Sequence, residues 1–316
     1  MHLEVRSMMK SRRKVPPSLM VADPMNLWND YYVARSIPDA LEALSESSGT
    51  SQVIAGGTDL LLDLQQGRHD PVHRLVDVTE IPEMGKIEIK QGELFIGAAA
   101  THKKISQSEL VRKHGYALSV ASGMVGGPQV RNTATIGGNV AHGLPAADGT
   151  IALMALDATA EVVSTSGTRR LPLAELFLGP GKSTLQQGNQ ILKGFYIQLN
   201  QPGQASAFQR VMRPQGVAIA ILNVAVWLQR KENTIEDLRI VMGPAGPVPR
   251  RLTAMESVLR GREICKETLS AARSAMLGET NFRTSRHRST KNYRQEMASV
   301  LFENTLHRAY NLSQIG

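Results

Sequence analysis

With 316 residues, 42% of them hydrophobic and 20% charged, the chain is too long for one small core and is composed like a globular protein of two domains, not a disordered or fibrous one. No apolar run approaches the roughly 20 residues that cross a bilayer, so no membrane span is expected. The formal charge of +8 raises a nucleic-acid reading, but it sits at the ends: residues 1–24 hold five basic against two acidic residues, and residues 283–308 hold six against two. A nearly neutral middle argues against nucleic acid as a partner.

In chain order, residues 1–24 read as a disordered basic extension. Lys10-Ser11-Arg12-Arg13-Lys14-Val15-Pro16-Pro17 lacks the apolar segment that an export signal needs after its arginines, and Met25 is the expected start. Ser36 caps a short amphipathic helix over Ile37-Pro38-Asp39-Ala40-Leu41-Glu42-Ala43-Leu44, with proline in the first turn. Val53-Ile54 is a short strand, a turn follows at Gly56-Gly57, and a helix runs from Leu60 to Gln66. A buried strand covers Arg74–Val78, and strands at 86–90 and 93–97 form a hairpin across Gln91-Gly92. Helices are expected over Thr101–Leu110 and Gly115–Met124, then a second glycine turn at Gly137-Gly138, then Asp148-Gly149 preceding an apolar helix through Leu156. Ala158–Ser164 pairs with Thr168–Leu171 across Ser166-Gly167. The polar stretch Gln198–Gly203 separates a domain over 25–202 from one over 203–316. The second contains three strands, 205–212, 218–229 and 235–242, and helices at 251–259, 266–277 and 293–310.

Two stretches carry candidate chemistry. In Ile54-Ala55-Gly56-Gly57-Thr58-Asp59-Leu60, paired glycines permit positive φ and let a ligand approach the main chain, and Thr58 adds a hydroxyl. A helix beginning there offers N–H groups to a diphosphate. The same residues also make an ordinary tight turn with Asp59 as helix N-cap. Thr135-Ile136-Gly137-Gly138-Asn139 repeats the pattern, and two such turns could clamp one long ligand. Cys265 is the only cysteine, so no internal disulfide, thiolate zinc site or iron–sulfur cluster can form on this chain. The histidines, His102, His114 and His142 among them, show no metal-ligand spacing. No catalytic constellation and no metal site is expected.

Five motifs in order define a family resemblance: Ala55–Leu60, Ile96-Gly97-Ala98-Ala99-Ala100-Thr101-His102, Gly127–Asn139, Pro145-Ala146-Ala147-Asp148 and Gly179-Pro180-Gly181-Lys182. Over residues 25–312 the chain resembles the FAD-binding medium subunit of the molybdenum hydroxylases, of xanthine dehydrogenase and aerobic carbon monoxide dehydrogenase type. The resemblance implies an α+β fold: a two-lobed vanillyl-alcohol-oxidase-like FAD-binding domain, then a C-terminal α+β domain with a three-stranded sheet and helices. It implies that Ile54, Ala55, Gly56, Gly57, Thr58, Asp59 and Leu60 and Thr135, Ile136, Gly137, Gly138 and Asn139 grip the FAD diphosphate. It also implies that Asp148 hydrogen-bonds the flavin side, and that Ile191, Leu192 and Phe208 lie along the ligand.

By the same resemblance the chain is an electron-transfer flavoprotein subunit in the cytoplasm. It is expected to take electrons from a 2Fe-2S small subunit fed by a molybdenum-cofactor large subunit, in a dimer of heterotrimers. NAD is the implied acceptor, although no GxGxxG follows a strand. In Arg213-Pro214-Gln215-Gly216-Val217-Ala218, Gly216 stands where relatives often carry an acid, and with one cysteine the extra-cluster loop of some relatives is absent. The basic C-terminal helix with Arg286, Arg288, Lys291 and Arg294 is a candidate docking face. The competing readings are a stand-alone flavoenzyme of this fold and a cofactor-free assembly protein.

Overall fold

The computed structural model describes residues 27–46, 49–186, 189–212, 219–285 and 288–314; the basic extension, Gly216 with its neighbours and Arg286 lie outside the described residues. Strand β1 (Trp28–Val33) leads to α1 (Ile37–Ser45), β2 (Ser51–Ile54), α2 (Leu60–Gln65) and β3 (Val72–Asp77). The Ser36 hydroxyl accepts from Asp39 N at 3.2 Å and starts α1, whose Ile37, Ala40, Leu41 and Leu44 are buried. The three strands form a parallel sheet in the order β1-β3-β2.

A hairpin of β4 (Ile87–Lys90) and β5 (Glu93–Gly97) opens the next lobe. Helices α3 (His102–Gln107), α4 (Glu109–His114), α5 (Tyr116–Met124), α6 (Pro128–Thr133), α7 (Ile136–Ala141) and α8 (Asp148–Ala155) follow. The single helix expected over 101–110 is two, broken at Ser108, whose hydroxyl accepts from Val111 N at 3.4 Å and restarts the chain as α4. Then come β6 (Thr159–Ser164), β7 (Gly167–Pro172), the short β8 (Phe177–Gly179) and β9 (Lys182–Ser183), and β10 (Gln190–Gln198). The antiparallel sheet runs β4-β5-β10-β6-β7, with its last strand in the middle.

A three-stranded antiparallel meander follows, β11 (Gln204–Met212), β12 (Ala220–Lys231) and β13 (Thr234–Gly243), then α9 (Thr253–Leu259), α10 (Lys266–Glu279) and α11 (Lys291–Leu312). Side chains alternate across a strand, and β12 uses this to serve two cores. Leu222, Val224, Val226 and Leu228 pack with Leu259, Ala272, Phe302 and Leu306 of the C-terminal helices. Ala225 and Trp227, with Phe208 and Val241, join the core of the first domain. Both faces covered, the strand reads as a continuous apolar run. No described helix is long and apolar enough to cross a membrane.

Candidate functional site

Gly56 and Gly57 close the turn from β2 to α2, each for its own reason. Gly57 has φ +65°, which costs glycine nothing. A Cβ on Gly56 would strike the Thr133 carbonyl and come within 2.9 Å of the Ala134 Cα. The first glycine motif therefore lies directly against the chain that enters the second. The Gly57 carbonyl accepts from Leu61 N at 3.0 Å, while the N–H groups of Gly56, Gly57 and Thr58 donate to no other described residue. Successive unused N–H groups beside a hydroxyl are a cradle for an anionic group. Asp59 occupies the N-cap position of α2 without a side-chain capping bond and is exposed. Ile54 is buried, and Ala55 and Leu60 are half-buried.

The second motif differs from the expected turn. Gly137 and Gly138 lie in the first turn of helix α7, because the Thr135 hydroxyl accepts from Gly138 N at 3.1 Å and caps it. Gly137 N donates to the Ala98 carbonyl at 2.8 Å, and a Cβ there would lie 2.6 Å from the Ala98 Cβ. Ile136 is buried, and its N–H donates to the Ala100 carbonyl at 3.1 Å. Gly138 is exposed, and a Cβ added to it would meet only the Thr135 hydroxyl, at 3.2 Å. Asn139 points inward: its Oδ1 accepts from Thr150 N at 3.1 Å and supplies α8 with a cap.

All five motifs meet around α7. The Ile96–His102 segment pairs with it as just described, and Gly181 N donates to the Gly143 carbonyl at 3.0 Å just beyond it. His142 at its end contacts α2, with Nε2 3.2 Å from Asp63 Oδ2 and Nδ1 3.8 Å from Asp59 Oδ1. Asp148, 6% exposed, opens α8. Its carboxylate pairs with Arg210 of β11 and accepts from Asn223 Nδ2 of β12 at 2.6 Å. Burial pushes its carboxyl up from the ordinary carboxylate range, against the pull of Arg210 and Asn223. Arg210 also donates to the Met124 carbonyl and to Met212 Sδ at 3.1 Å. Behind α7 and α8, His102 is buried with Nδ1 3.3 Å from Ser122 Oγ, and burial, with the Arg131 charge, holds it down at about 4.

Ile191, Leu192 and Phe208 are not gathered with the glycine motifs by any contact recorded above; all three are buried members of the first domain's core. Arg210 and Asn223 were not among the sequence candidates. The one available signal was Asn223, a lone amide inside the apolar run Ala220–Leu228. Arg294, expected on an exposed docking face, is buried. Cys265 is exposed and stands at the N-cap of α10.

The family model for the FAD binding domain in molybdopterin dehydrogenase matches residues 24–197, and that for the CO dehydrogenase flavoprotein C-terminal domain matches residues 206–309. Over 282 residues the chain is 28% identical to a putative xanthine dehydrogenase FAD-binding subunit of Escherichia coli (strain K12), covering 88% of this chain and 95% of that one. Over 277 residues it is 31% identical to the nicotine 6-hydroxylase medium subunit of Paenarthrobacter nicotinovorans, covering 87% and 95%. Among solved structures, carbon monoxide dehydrogenase from Hydrogenophaga pseudoflava lacking the Mo-pyranopterin moiety of its cofactor superposes with a TM-score of 0.84 at 26% identity, covering 89% of this chain and 97% of that one.

Proposed function

The chain belongs to the family of FAD-binding flavoprotein subunits of molybdopterin dehydrogenases, and on that premise we propose that it is the electron-transfer subunit of a molybdenum-dependent hydroxylase or dehydrogenase complex. FAD is its cofactor and oxidoreduction its class of chemistry. The observation that carries the reading is the contact of the two glycine motifs through Gly56 and Thr133, with unused N–H groups at Gly56, Gly57 and Thr58 beside it. These donors, with the Thr58 hydroxyl and the open face of Gly138, suit a dinucleotide diphosphate.

In this reading the loop N–H groups hold the diphosphate, and Asp148, steadied by Arg210 and Asn223, stands on the flavin side. Thr135 and Asn139 keep α7 and α8 in place and so fix the spacing between the two ends of the ligand. Ile54, Ala55, Asp59, Leu60, Ile136, Ile191, Leu192 and Phe208 line or back the cleft. The bound flavin supplies one- and two-electron redox chemistry, which asks the protein for position and electrostatics, not for an acid or base. The architecture is that of vanillyl-alcohol oxidase, divided into an FAD domain over 25–202 and a C-terminal domain over 203–316. Electrons would enter from a partner with 2Fe-2S clusters, because the one thiol here cannot hold a cluster. A molybdenum-cofactor large subunit would feed that partner, and NAD would be the acceptor, in a dimer of heterotrimers.

The test is purification from the native source at moderate salt. Co-elution with a cysteine-rich subunit and a large molybdenum-containing one, and flavin released from the chain by acid, are expected. A chain that runs alone and oxidises an organic substrate at enzyme-like rates without added protein would overturn the subunit reading.

A further inference from the structure

The segment that enters α11 gathers positive charge that no described residue neutralises. Ser285 and Ser289 pair as an isolated antiparallel bridge, and Lys291 N donates to the Thr284 hydroxyl at 3.1 Å, so Thr284 and Ser285 lie beside the start of α11. Arg283 precedes this loop, Arg288 lies within it, and Arg294 follows one turn into the helix. Arg283 and Arg288 are exposed, whereas Arg294 is 2% exposed and is among the largest fully buried side chains. Its Nε has no hydrogen-bond partner. Among the described residues none of the three arginines forms an ion pair, although Arg273 nearby on α10 takes Glu303 of α11 at 2.8 Å. Burial lowers the proton affinity of Arg294 and Arg288, and neighbouring guanidiniums lower it further: Arg294 feels Arg288 and Arg283, and Arg288 feels Arg283.

Elsewhere the same fold handles a buried guanidinium differently. Arg210 has the Asp148 carboxylate and two further acceptors. An unpaired buried charge is among the most costly features a fold can hold, and a guanidinium cannot shed its proton as a lysine does. Among the described residues none supplies the counter-charge, and an anion from outside the chain would. Three guanidiniums offer several donor forks, which suits the many acceptor faces of a phosphate group better than the single edge of a carboxylate.

We propose that Arg283, Arg288 and Arg294 form a binding site for a phosphate-type oxyanion, with Arg294 as the buried anchor and the other two arginines meeting the anion from solvent. The site lies in the C-terminal domain and owes nothing to the flavin. An anion that binds only the native state raises stability in proportion to its occupancy.

The experiment is thermal unfolding of the full FAD-loaded chain in chloride, in inorganic phosphate, in a phosphate monoester such as glycerol phosphate, and in acetate, all at matched ionic strength. Phosphate is expected to raise Tm saturably where chloride and acetate do not. A monoester as effective as inorganic phosphate would identify an organic phosphate as the source, and a weaker one the free ion. Arg283→Gln and Arg288→Gln should each raise the half-saturating phosphate concentration about tenfold, the effect of losing one charged hydrogen bond. Arg294→Met should abolish the response and raise Tm in phosphate-free buffer, because the unpaired charge is gone. If that variant fails to fold, the two exposed arginines still decide. Flavin absorbance should be the same throughout, so the outcome is independent of the flavin reading. Equal shifts in phosphate and chloride, or a response kept by the Arg283→Gln/Arg288→Gln double variant, would overturn the proposal. A response reproduced by acetate would replace it with a site for a protein carboxylate.

Discussion

The two glycine pairs look alike on paper and are built differently. At Gly56-Gly57 the chain leaves a strand, passes through a left-handed residue and leaves three N–H groups with no acceptor among the described residues. At Gly137-Gly138 the chain is already helical, and both N–H groups are spent, one on the Ala98 carbonyl and one on the Thr135 hydroxyl. Yet the division of labour is shared. One glycine of each pair, Gly56 or Gly137, permits a close backbone approach, and its partner either turns the chain at positive φ, Gly57, or sits exposed in the first turn of α7, Gly138. A Gly-Gly pair thus records two separate steric demands, and in the proposed reading only one of them concerns a ligand.

Substitutions can pull those demands apart. The largest effect is expected from Gly56→Val, whose Cβ would enter the Thr133 carbonyl, and neither backbone can yield without parting the two motifs. Loss of flavin together with loss of a cooperative unfolding transition should be seen by absorbance and calorimetry. Asp148→Ala comes next, because it strands the Arg210 guanidinium in the interior, a change that typically costs about 3–5 kcal/mol. A fall in Tm even in flavin-free protein would place this role in the fold and not only in the ligand contact.

His102 tests the support behind the second pair. Its pKa falls from 6.5 in the unfolded chain to about 4 in the fold, so the unfolded chain binds more protons below 6.5. The stability it contributes is complete above pH 6.5 and drains away as pH falls toward 4, a total of about 3 kcal/mol. Denaturant unfolding between pH 4 and 7 should show this slope, and His102→Gln should flatten it. Gly57→Val forces a branched side chain into positive φ, a strain of about 1–3 kcal/mol. The variant should stay folded by circular dichroism and lose its flavin. Wild-type flavin content here would falsify the reading of the first loop as the ligand cradle. The smallest effect belongs to Gly138→Ala: replacing a helical glycine by alanine should gain up to about 0.5–1 kcal/mol of stability, less what it costs to shift the Thr135 hydroxyl, 3.2 Å from the new Cβ. If Gly138 faces the ligand, the gain in Tm should come with weaker flavin retention, and Gly138→Val should lose flavin altogether.

Much of this architecture was legible because its signals are local. The hairpin across Gln91-Gly92, the cap at Ser36, the start of α2 at Leu60 and the three C-terminal strands rest on turn chemistry and periodicity that a short window contains. Strand β10 was missed because Lys193-Gly194 interrupts its apolar run. Gly194 is there because Phe95 Cε2 would lie 2.5 Å from any Cβ, a demand set by a residue about a hundred positions away. Strand β1, Trp-Asn-Asp-Tyr-Tyr-Val, is mostly exposed and polar, and its pairing with β3 gives no alternation to read. The helix at Gly137-Gly138 was read as a turn because glycine disfavours helices, a preference overridden by the Thr135 cap and the buried Ile136 and Val140. The glycine motifs point from sequence alone to the proposed site, but the Arg210–Asp148–Asn223 cluster joins positions 62 and 75 residues apart, and no spacing announces it.

The place of β10 sets a schedule for the chain as it is made. Its neighbours β5 and β6 border it on opposite sides and have no ladder between them, so the β4-β5 hairpin and the β6-β7 hairpin are joined only through residues 190–198. Each hairpin can form early, on a timescale of about microseconds. A two-stranded hairpin alone is marginal in water, so both must wait, partly exposed, until the ribosome has released residue 198. At about 5–20 residues per second, the interval between β5 and β10 lasts several seconds or more. The nascent first domain is therefore most exposed to aggregation and to chaperones in that window, and a ribosome stalled before residue 190 should carry a protease-sensitive chain.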